Sequence, residues 1–241
     1  MNAAVAAVVS SVPRAARSLW KNWIRPLAPT VLGVLAAKSA LADINHVPTG
    51  SMKPTILEGD VVVINKLAYD LKVPFTRFRL ATWGEPARGD IVVCFSPDED
   101  VRLVKRVVAR AGDTVELRDD VLLLNGVRLD YAPLAADAAG LPYLPEAERA
   151  AACFVREKLV GDGHAMMVLP RRHARRNFGP VVVPAGQCLV LGDNRDNSRD
   201  SRYFGFMPVE RVVGRAEAVF VSGDPDHWLR PRFGRFCTAL E

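Results

Sequence analysis

Hydrophobic residues are distributed in two different ways along the chain. Residues 26–42 form a nearly continuous apolar segment, whereas most of the remaining sequence consists of short Val-rich runs separated by Gly and Pro. Short runs of β-branched residues bounded by turn residues are typical of strands. The pattern therefore predicts a mainly β fold preceded by one apolar helix.

The apolar segment 26–42 predicts a transmembrane anchor. A helix of about 17 residues is roughly 25 Å long, which is near the lower limit for a membrane span. Basic residues precede it, so the positive-inside rule predicts that residues 1–25 are cytoplasmic and that the chain after residue 42 lies across the membrane. Two alternatives remain open: a cleavable signal peptide that ends at Ala40-Leu41-Ala42, and a buried helix of a soluble domain.

The predicted strands fall in two blocks, 43–129 and 181–241, which we expect to form one β domain. Within the first block, Asn125-Gly126 lies between two apolar runs and predicts a hairpin turn. The intervening residues 130–180 are rich in Ala, Pro and Arg and have weak periodicity. They predict an inserted lobe with a short helix at 145–152.

Charge and cysteine content argue against two classes of site. The formal net charge is +5, but residues 1–43 contain five basic residues and one acidic residue, so the rest of the chain carries only +1. The basic excess is therefore an N-terminal feature, and we expect no nucleic-acid partner. The four cysteines are widely spaced and form no CxxC motif, so we expect neither a disulfide framework nor a zinc site, and no metal or cofactor.

A candidate nucleophile, Ser51, lies in the segment 48–55, which reads PTGSMKPT. A serine in a Gly- and Pro-rich loop can be held with its hydroxyl exposed, and Gly50 would let a peptide backbone approach. Such a hydroxyl needs a base. The sequence has four histidines, and none lies in a motif typical of a catalytic triad.

Lys105 is the better candidate for the base, because it lies in the apolar strand-like run LVKRVV, residues 103–108. Burial lowers the pKa of a lysine, and the neutral amine can accept a serine proton. A lysine on an edge strand that faces water is the alternative, and these residues alone leave the two open. The polar segment 192–202 follows an apolar strand, which favours a buried hydrogen-bonded network over a solvated loop.

Four segments resemble the type I signal peptidases, the membrane-bound S26-type Ser–Lys proteases that remove signal peptides from exported proteins. They are PTGSMKPT (48–55), GDIVV (89–93), LVKRVVARAGD (103–113) and GDNRDNSRDSRYFG (192–205). The resemblance implies a convoluted antiparallel β-sheet catalytic domain (43–129 and 181–241) with an N-terminal transmembrane helix. It also implies a monomer with one span in the bacterial cytoplasmic membrane and its catalytic domain on the extracytoplasmic side.

The same resemblance implies roles for particular residues. Ser51 would be the nucleophile and Lys105 the general base, while the Thr49 hydroxyl and the Ser51 backbone N–H would form the oxyanion hole. Ser198 would hydrogen-bond to Lys105 and orient it. The supporting residues would form two pairs, in which Asp200 and Arg202 brace the site and Asp193 binds Arg106.

The substrate pocket implied by the resemblance is apolar and accepts small residues at positions −1 and −3 of the substrate. Its expected lining residues are Val47, Met52, Ile56, Val93, Leu103 and Val104. Asn45 stands where an aromatic or apolar residue is common in the family, so the pocket for position −3 is expected to differ in shape.

The implied activity is signal peptidase I, a serine endopeptidase that cleaves N-terminal signal peptides after Ala-x-Ala-type segments. Its partners would be signal peptides of exported preproteins and the lipid bilayer, and it would use no cofactor. One alternative is a specialised Ser–Lys protease that matures pilin-like subunits of a conjugation or secretion system. A self-cleaving transcriptional repressor would need an N-terminal helix-turn-helix, and an inactive peptide-binding module would not need both Ser51 and Lys105.

Overall fold

The computed structural model describes residues 22–23, 25–76, 78–134 and 140–240. The predicted cytoplasmic segment 1–25 therefore lies almost wholly outside the described residues. The α-helices in the described part of the chain are α1 (Arg25–Leu41), α2 (Glu146–Ala151) and α3 (Ser201–Phe204).

Most of the described regular structure is β. The strands are β1 (Ala42–His46), β2 (Asp60–Asn65), β3 (Asp70–Lys72), β4 (Arg79–Thr82), β5 (Ile91–Phe95), β6 (Arg102–Arg110), β7 (Thr114–Arg118), β8 (Val121–Leu124), β9 (Val127–Arg128), β10 (Tyr131–Pro133), β11 (Cys153–Glu157), β12 (His164–Val168), β13 (Phe178–Val182), β14 (Gln187–Leu191), β15 (Met207–Pro208), β16 (Val212–Asp224), β17 (Arg230–Pro231) and β18 (Thr238–Ala239).

The main sheet has the order β1-β2-β16-β5-β6-β14-β15, and β17 and β18 both pair with β16. The smaller sheets of the described residues have the orders β13-β7-β8-β9, β10-β11-β12 and β3-β4. The pairings between these strands are antiparallel. The prediction of a mainly β, antiparallel fold is confirmed.

Strand β5 is the centre of the core because both of its faces are covered. Ile91 and Val93 pack into one apolar cluster, and Val92 and Cys94 pack into another on the opposite face. Successive side chains of a strand point to opposite faces, so a strand buried on both sides has a continuous apolar sequence. This arrangement explains the unbroken run IVVCF of β5.

The segment 130–180 contains its own small sheet, β10-β11-β12, and the helix α2, close to the short helix predicted at 145–152. Strand β13 begins at Phe178 but pairs with β7 instead of this sheet. The boundary at residue 180, drawn from sequence periodicity, thus falls inside β13. Pairing partners decide such a boundary, and periodicity does not reveal them.

The predicted span 26–42 coincides with α1 and the first residue of β1. Helix α1 has 17 residues, and no helix in the described residues is both long and apolar enough to cross a membrane.

A pair of glycine variants tests the packing of the main sheet. Gly59 has a φ of +84°, and a Cβ there would lie 2.0 Å from the Gly223 carbonyl oxygen. Gly112 has a φ of +87°, but a Cβ there would have nothing within 4 Å. An alanine in this left-handed region costs about 1–2 kcal/mol at either site. Gly59→Ala adds a backbone overlap, so we expect its thermal unfolding midpoint to fall by at least twice as much as that of Gly112→Ala. Equal shifts in the detergent-solubilised full chain would contradict this packing.

Candidate active site

Ser51 and Lys105, which are 54 positions apart in the sequence, meet in the folded chain. The Lys105 Nζ lies 2.7 Å from the Ser51 Oγ and 3.0 Å from the Val104 carbonyl oxygen. Ser51 is half-buried in the short 3-10 helix Gly50–Met52, and Lys105 lies on β6 with only 2% of its surface exposed. A lysine amine in this position can accept the proton of the serine hydroxyl.

Burial decides the charge of Lys105. Loss of hydration disfavours the ammonium form and lowers the pKa of Lys105 below its usual value, while the nearby Asp200 carboxylate opposes that shift without cancelling it. The amine is therefore neutral over a wider range of pH than that of an exposed lysine. The alternative of a water-facing lysine on an edge strand does not apply.

Lys53 is a second buried lysine near Ser51, and its environment is the opposite of that of Lys105. Its Nζ lies 2.9 Å from the Glu148 Oε2 on α2 and 3.1 Å from the Glu58 Oε2. Burial lowers the pKa of Lys53, but the two carboxylates outweigh that effect and raise it above its usual value. Lys53 is thus held as a cation and cannot serve as the base. Sequence reasoning gave this residue no role.

Asn194 fixes the backbone around Ser51. Its N–H donates to the Ser51 carbonyl oxygen at 3.1 Å, and its Nδ2 donates to the Gly50 carbonyl oxygen at 3.0 Å. Asn194 is fully buried. The polar segment 192–202 was singled out in the sequence, but Asn194 was not, although a side-chain amide in a buried network is a signal that could have found it.

Gly192 allows this close approach. A Cβ at Gly192 would lie 2.4 Å from the Ser51 carbonyl oxygen and 2.3 Å from the Ser198 Oγ. Any larger residue would push the segment 192–202 away from the Ser51 loop. Ser198 therefore lies beside the site, but the structure contains no hydrogen bond between Ser198 and Lys105. The buried Ser198 Oγ has no hydrogen-bond partner among the described residues.

The pair Asp200–Arg202 is buried next to the site. The Arg202 Nε and Nη2 each donate to an Asp200 carboxylate oxygen at 2.8 Å. The Asp200 Oδ2 also accepts the Gly192 N–H at 3.1 Å. The pair thus anchors the start of the segment 192–202.

The pair Asp193–Arg106 anchors the same segment to β6. The Arg106 Nε and Nη2 both lie 2.9 Å from Asp193 carboxylate oxygens, and Thr55 donates its hydroxyl to Asp193 at 2.6 Å. Arg106 is adjacent to Lys105 in β6, and Thr55 follows the Ser51 loop. One carboxylate therefore joins the strand of the lysine to the loop of the serine.

A cleft of about 240 Å³ opens at Ser51 and Lys105. One wall is formed by residues 45–49 with Met52, and the other by residues 101–104. Thr49 lies in this cleft and is exposed, beside Ser51. The arrangement leaves room for an extended peptide in contact with both reactive groups.

Four of the six expected pocket residues line the cleft: Val47, Met52, Leu103 and Val104. The expectation that Ile56 and Val93 line it is not met. Both are fully buried and pack with Val47, Met52 and Val104 in the core. They support the lining residues from behind. The sequence does not separate the two groups, because residues one layer deeper have the same apolar character as residues that line the cleft.

The family match and the sequence relatives agree with each other. The family described as signal peptidase, peptidase S26, matches residues 20–221. A signal peptidase I from Pseudomonas fluorescens is 34% identical over 216 residues, which cover 85% of this chain and 72% of that protein. A signal peptidase I from Aquifex aeolicus is 33% identical over 219 residues, which cover 80% and 81%. The crystal structure of a signal peptidase I from Enterococcus faecalis V583 is 33% identical, covers 56% of this chain and 98% of that one, and has a TM-score of 0.33.

The two buried lysines give opposite predictions for stability. Because the pKa of Lys105 is lowered on folding, the unfolded chain binds more protons between that lowered pKa and the usual value of 10.5, and stability rises with pH through this window. Lys105→Met removes the cost of burying the charge. We expect its thermal unfolding midpoint to exceed that of the wild type at neutral pH, with the difference shrinking as the pH approaches 10.5.

Lys53→Met is the matched control. It leaves the Glu58 and Glu148 carboxylates without their cation, and it relieves no unfavourable burial of a charge, because the pKa of Lys53 is raised. It should lower the stability by about 1–2 kcal/mol at neutral pH, as expected for breaking a partly buried ion pair. Calorimetry of the full chain from pH 6 to 10 measures both effects. Destabilisation of both variants to the same extent would contradict the assignment of Lys105 as the desolvated lysine.

Proposed function

The chain belongs to the signal peptidase family, peptidase S26, and on that basis we propose that it is a signal peptidase I. It is a serine endopeptidase that cleaves the signal peptides of exported preproteins after small residues. The observation that carries this proposal is the 2.7 Å contact between the Ser51 Oγ and the Lys105 Nζ at the floor of an open cleft.

The proposed reaction begins with proton transfer. The neutral Lys105 amine takes the proton of the Ser51 hydroxyl as the Ser51 Oγ attacks the substrate carbonyl carbon. The carbonyl oxygen becomes an oxyanion, which the Ser51 N–H and the Thr49 hydroxyl stabilise by about 3 kcal/mol per donor. The carbon–nitrogen bond then breaks, Lys105 gives its proton to the leaving amine, and an ester to Ser51 remains.

The second half of the reaction repeats these roles with water. Lys105 takes a proton from a water molecule, whose oxygen attacks the ester carbonyl carbon. The ester bond breaks, and Lys105 returns the proton to the Ser51 Oγ. The cleaved signal peptide leaves with a free carboxyl group, which loses its proton to the solvent, and the base ends in its neutral form.

Ser198 has a proposed part in orienting Lys105. Its hydroxyl is buried beside Gly192 and has no hydrogen-bond partner in the described residues, so it is available to the lysine amine after rotation about χ1. The ion pairs of Asp200 with Arg202 and of Asp193 with Arg106 hold the segment that carries Ser198. These five residues position the reactive groups and do not touch the substrate.

The cleft suits the proposed substrate. Its apolar lining by Val47, Met52, Leu103 and Val104 and its small volume of about 240 Å³ favour small side chains such as alanine. Larger side chains at position −1 would meet Met52, which is fully buried and packs in the core with Val47 and Val104.

Membrane association is part of the proposal. Helix α1 exposes Leu27, Val31, Val34 and Leu35, and the neighbouring hairpin β3-β4 exposes Phe75, Phe78, Leu80 and Trp83. The Phe75 N–H donates to the Ser39 Oγ at 2.8 Å, so the hairpin and the helix present these groups side by side. A large apolar surface of this kind is typical of a membrane contact. We assign 26–42 as the anchor in the bacterial inner membrane and the remaining chain to its extracytoplasmic side.

Cleavage of a pre-secretory protein in detergent or lipid tests the activity. Ser51→Ala and Lys105→Ala should each lower kcat/KM by at least about 10³-fold, because each removes one member of a unit that acts together. Ser222→Ala and Lys158→Ala, which alter a serine and a lysine that do not line the cleft, should retain wild-type rates. Undiminished cleavage by either of the first two variants would exclude the proposed mechanism.

The same assay distinguishes the specialised alternative. A signal peptidase I should cleave the pre-secretory substrate at a rate at least comparable with that of a pilin precursor. Cleavage restricted to the pilin precursor would assign the protein to maturation of pilin-like subunits instead.

A further inference from the structure

Two unpaired strand edges face each other across the cleft. Strand β1 is an edge strand of the main sheet and pairs with β2 alone among the described strands. Residues 102–105 of β6 pair with β5, whereas β14 meets β6 only from Arg106 onward. An extended peptide can add to such edges through backbone hydrogen bonds. The inference that follows rests on the proposed function, because it requires a peptide substrate in this cleft.

An ion pair bridges the two edges beyond the pocket residues. The Arg102 Nη2 on β6 lies 2.9 Å from the Asp43 Oδ2 on β1, and the Lys66 Nζ lies 3.5 Å from the same oxygen. Arg102 is itself a lining residue of the cleft. A substrate strand that lies between the two edges must therefore meet this bridge.

Arg102 has hydrogen-bonding capacity that the protein does not use. Its Nε is buried and has no hydrogen-bond partner among the described residues. An arginine side chain offers five N–H donors in a planar fork that suits a carboxylate. Asp43 engages one side of this fork and leaves Nε free.

The charge around the bridge favours an acidic ligand. Asp43 has Arg102 and Lys66 as ion-pair partners, and Lys38 lines the same small apolar depression as Asp43. Two cations thus contact one carboxylate, and a third lines the same depression. If Arg102 turned to a substrate carboxylate, Lys66 would still neutralise Asp43, so the exchange would leave no buried charge unpaired.

The distance along β6 fixes the substrate position involved. In the proposed complex, the substrate residues before the cleaved bond run from Lys105 past Val104 and Leu103, which line the proposed pockets for positions −1 and −3. Arg102 is three residues from Lys105, which corresponds to about 10 Å along a strand and about three substrate residues. The residue that reaches it is therefore at position −4.

We propose that Arg102 is a specificity-determining residue that binds an acidic side chain at position −4 of the substrate, and that Asp43 occupies this place in the free enzyme. The alternative is a structural brace between β1 and β6 that is indifferent to the substrate. A brace would change the rate for all substrates alike, whereas a specificity residue changes the ratio between substrates that differ only in charge at −4.

The test uses one pre-secretory protein with Glu, Gln or Lys at position −4. For the wild-type full chain at low ionic strength, we expect kcat/KM to fall in the order Glu, Gln, Lys by about threefold at each step, which is the size of a partly exposed ion pair. The differences should shrink in about 0.5 M salt because the charges are screened. The same Glu and Gln placed at position −8 should give equal rates.

The ratio of kcat/KM for the Glu substrate to kcat/KM for the Gln substrate should move in opposite directions in two variants of the bridge. Arg102→Gln should bring it to about one, and Asp43→Asn should raise it above the wild-type value because Arg102 loses its internal competitor. Arg118→Gln, which removes an exposed arginine paired with Glu116 on β7, is the matched control and should keep the wild-type ratio.

The outcomes separate this inference from the proposed function. If the wild type cleaves all three substrates at equal rates, or if Arg102→Gln keeps the wild-type ratio, the assignment of Arg102 is wrong while the protease activity stands. If the wild type cleaves none of them, both proposals are overturned.

Discussion

The site depends on the removal of one amine from water. Lys105 has 2% of its surface exposed and is hydrogen-bonded to Ser51, and the sheet around it supplies apolar neighbours on β5 and β6. A charged ammonium would be strongly disfavoured there without full ion pairing. The carboxylate with the largest electrostatic effect on Lys105, that of Asp200, is already engaged by Arg202. The chain thus buries a lysine without a carboxylate of its own to pair with, and this suits the amine to the role of base that we propose.

The segment 192–202 is the part of the chain that assembles this arrangement. Asp193 binds Arg106 next to Lys105 on β6, and Asn194 holds the backbone of the Ser51 loop. The same stretch of backbone therefore controls the distance between the serine and the lysine. Because these polar groups are buried, each lost partner leaves an unsatisfied group, and the network is held in one geometry.

The sequence predicted the fold class, and it also singled out Ser51 and Lys105 as candidates, but for different reasons. Val-rich runs such as that of β5 predicted the strands, because a strand that is buried on both faces has a continuous apolar sequence. Ser51 and Lys105 were each plausible from their neighbours. Their meeting across 54 positions depends on strand pairing, which local patterns do not encode. Only the resemblance of four segments to a known family joined them.

Other features of the site were beyond the reach of sequence reasoning. Lys53 and Lys105 are both buried lysines. Lys53 is a cation because Glu148 and Glu58 lie beside it, whereas Lys105 has no such pair of carboxylates and remains the candidate base. Ile56 and Val93 have the same apolar character as the residues that line the cleft, and depth alone separates them. The boundary drawn at residue 180 lies inside β13 for a similar reason, since β13 pairs with β7, which is far from it along the chain.

The open edges of β1 and β6 have a consequence for the behaviour of the protein in solution. An unpaired strand edge that accepts a peptide backbone can also accept the edge of another molecule, which is a common route to aggregation. Here the free part of β6 is short, because β14 covers the strand from Arg106 onward. The bridge between Asp43 and Arg102 places charge at its far end. Short length and charge are two means by which sheet proteins protect their edges. The proposed substrate opening is therefore poorly suited to starting a continuous sheet between copies of the enzyme.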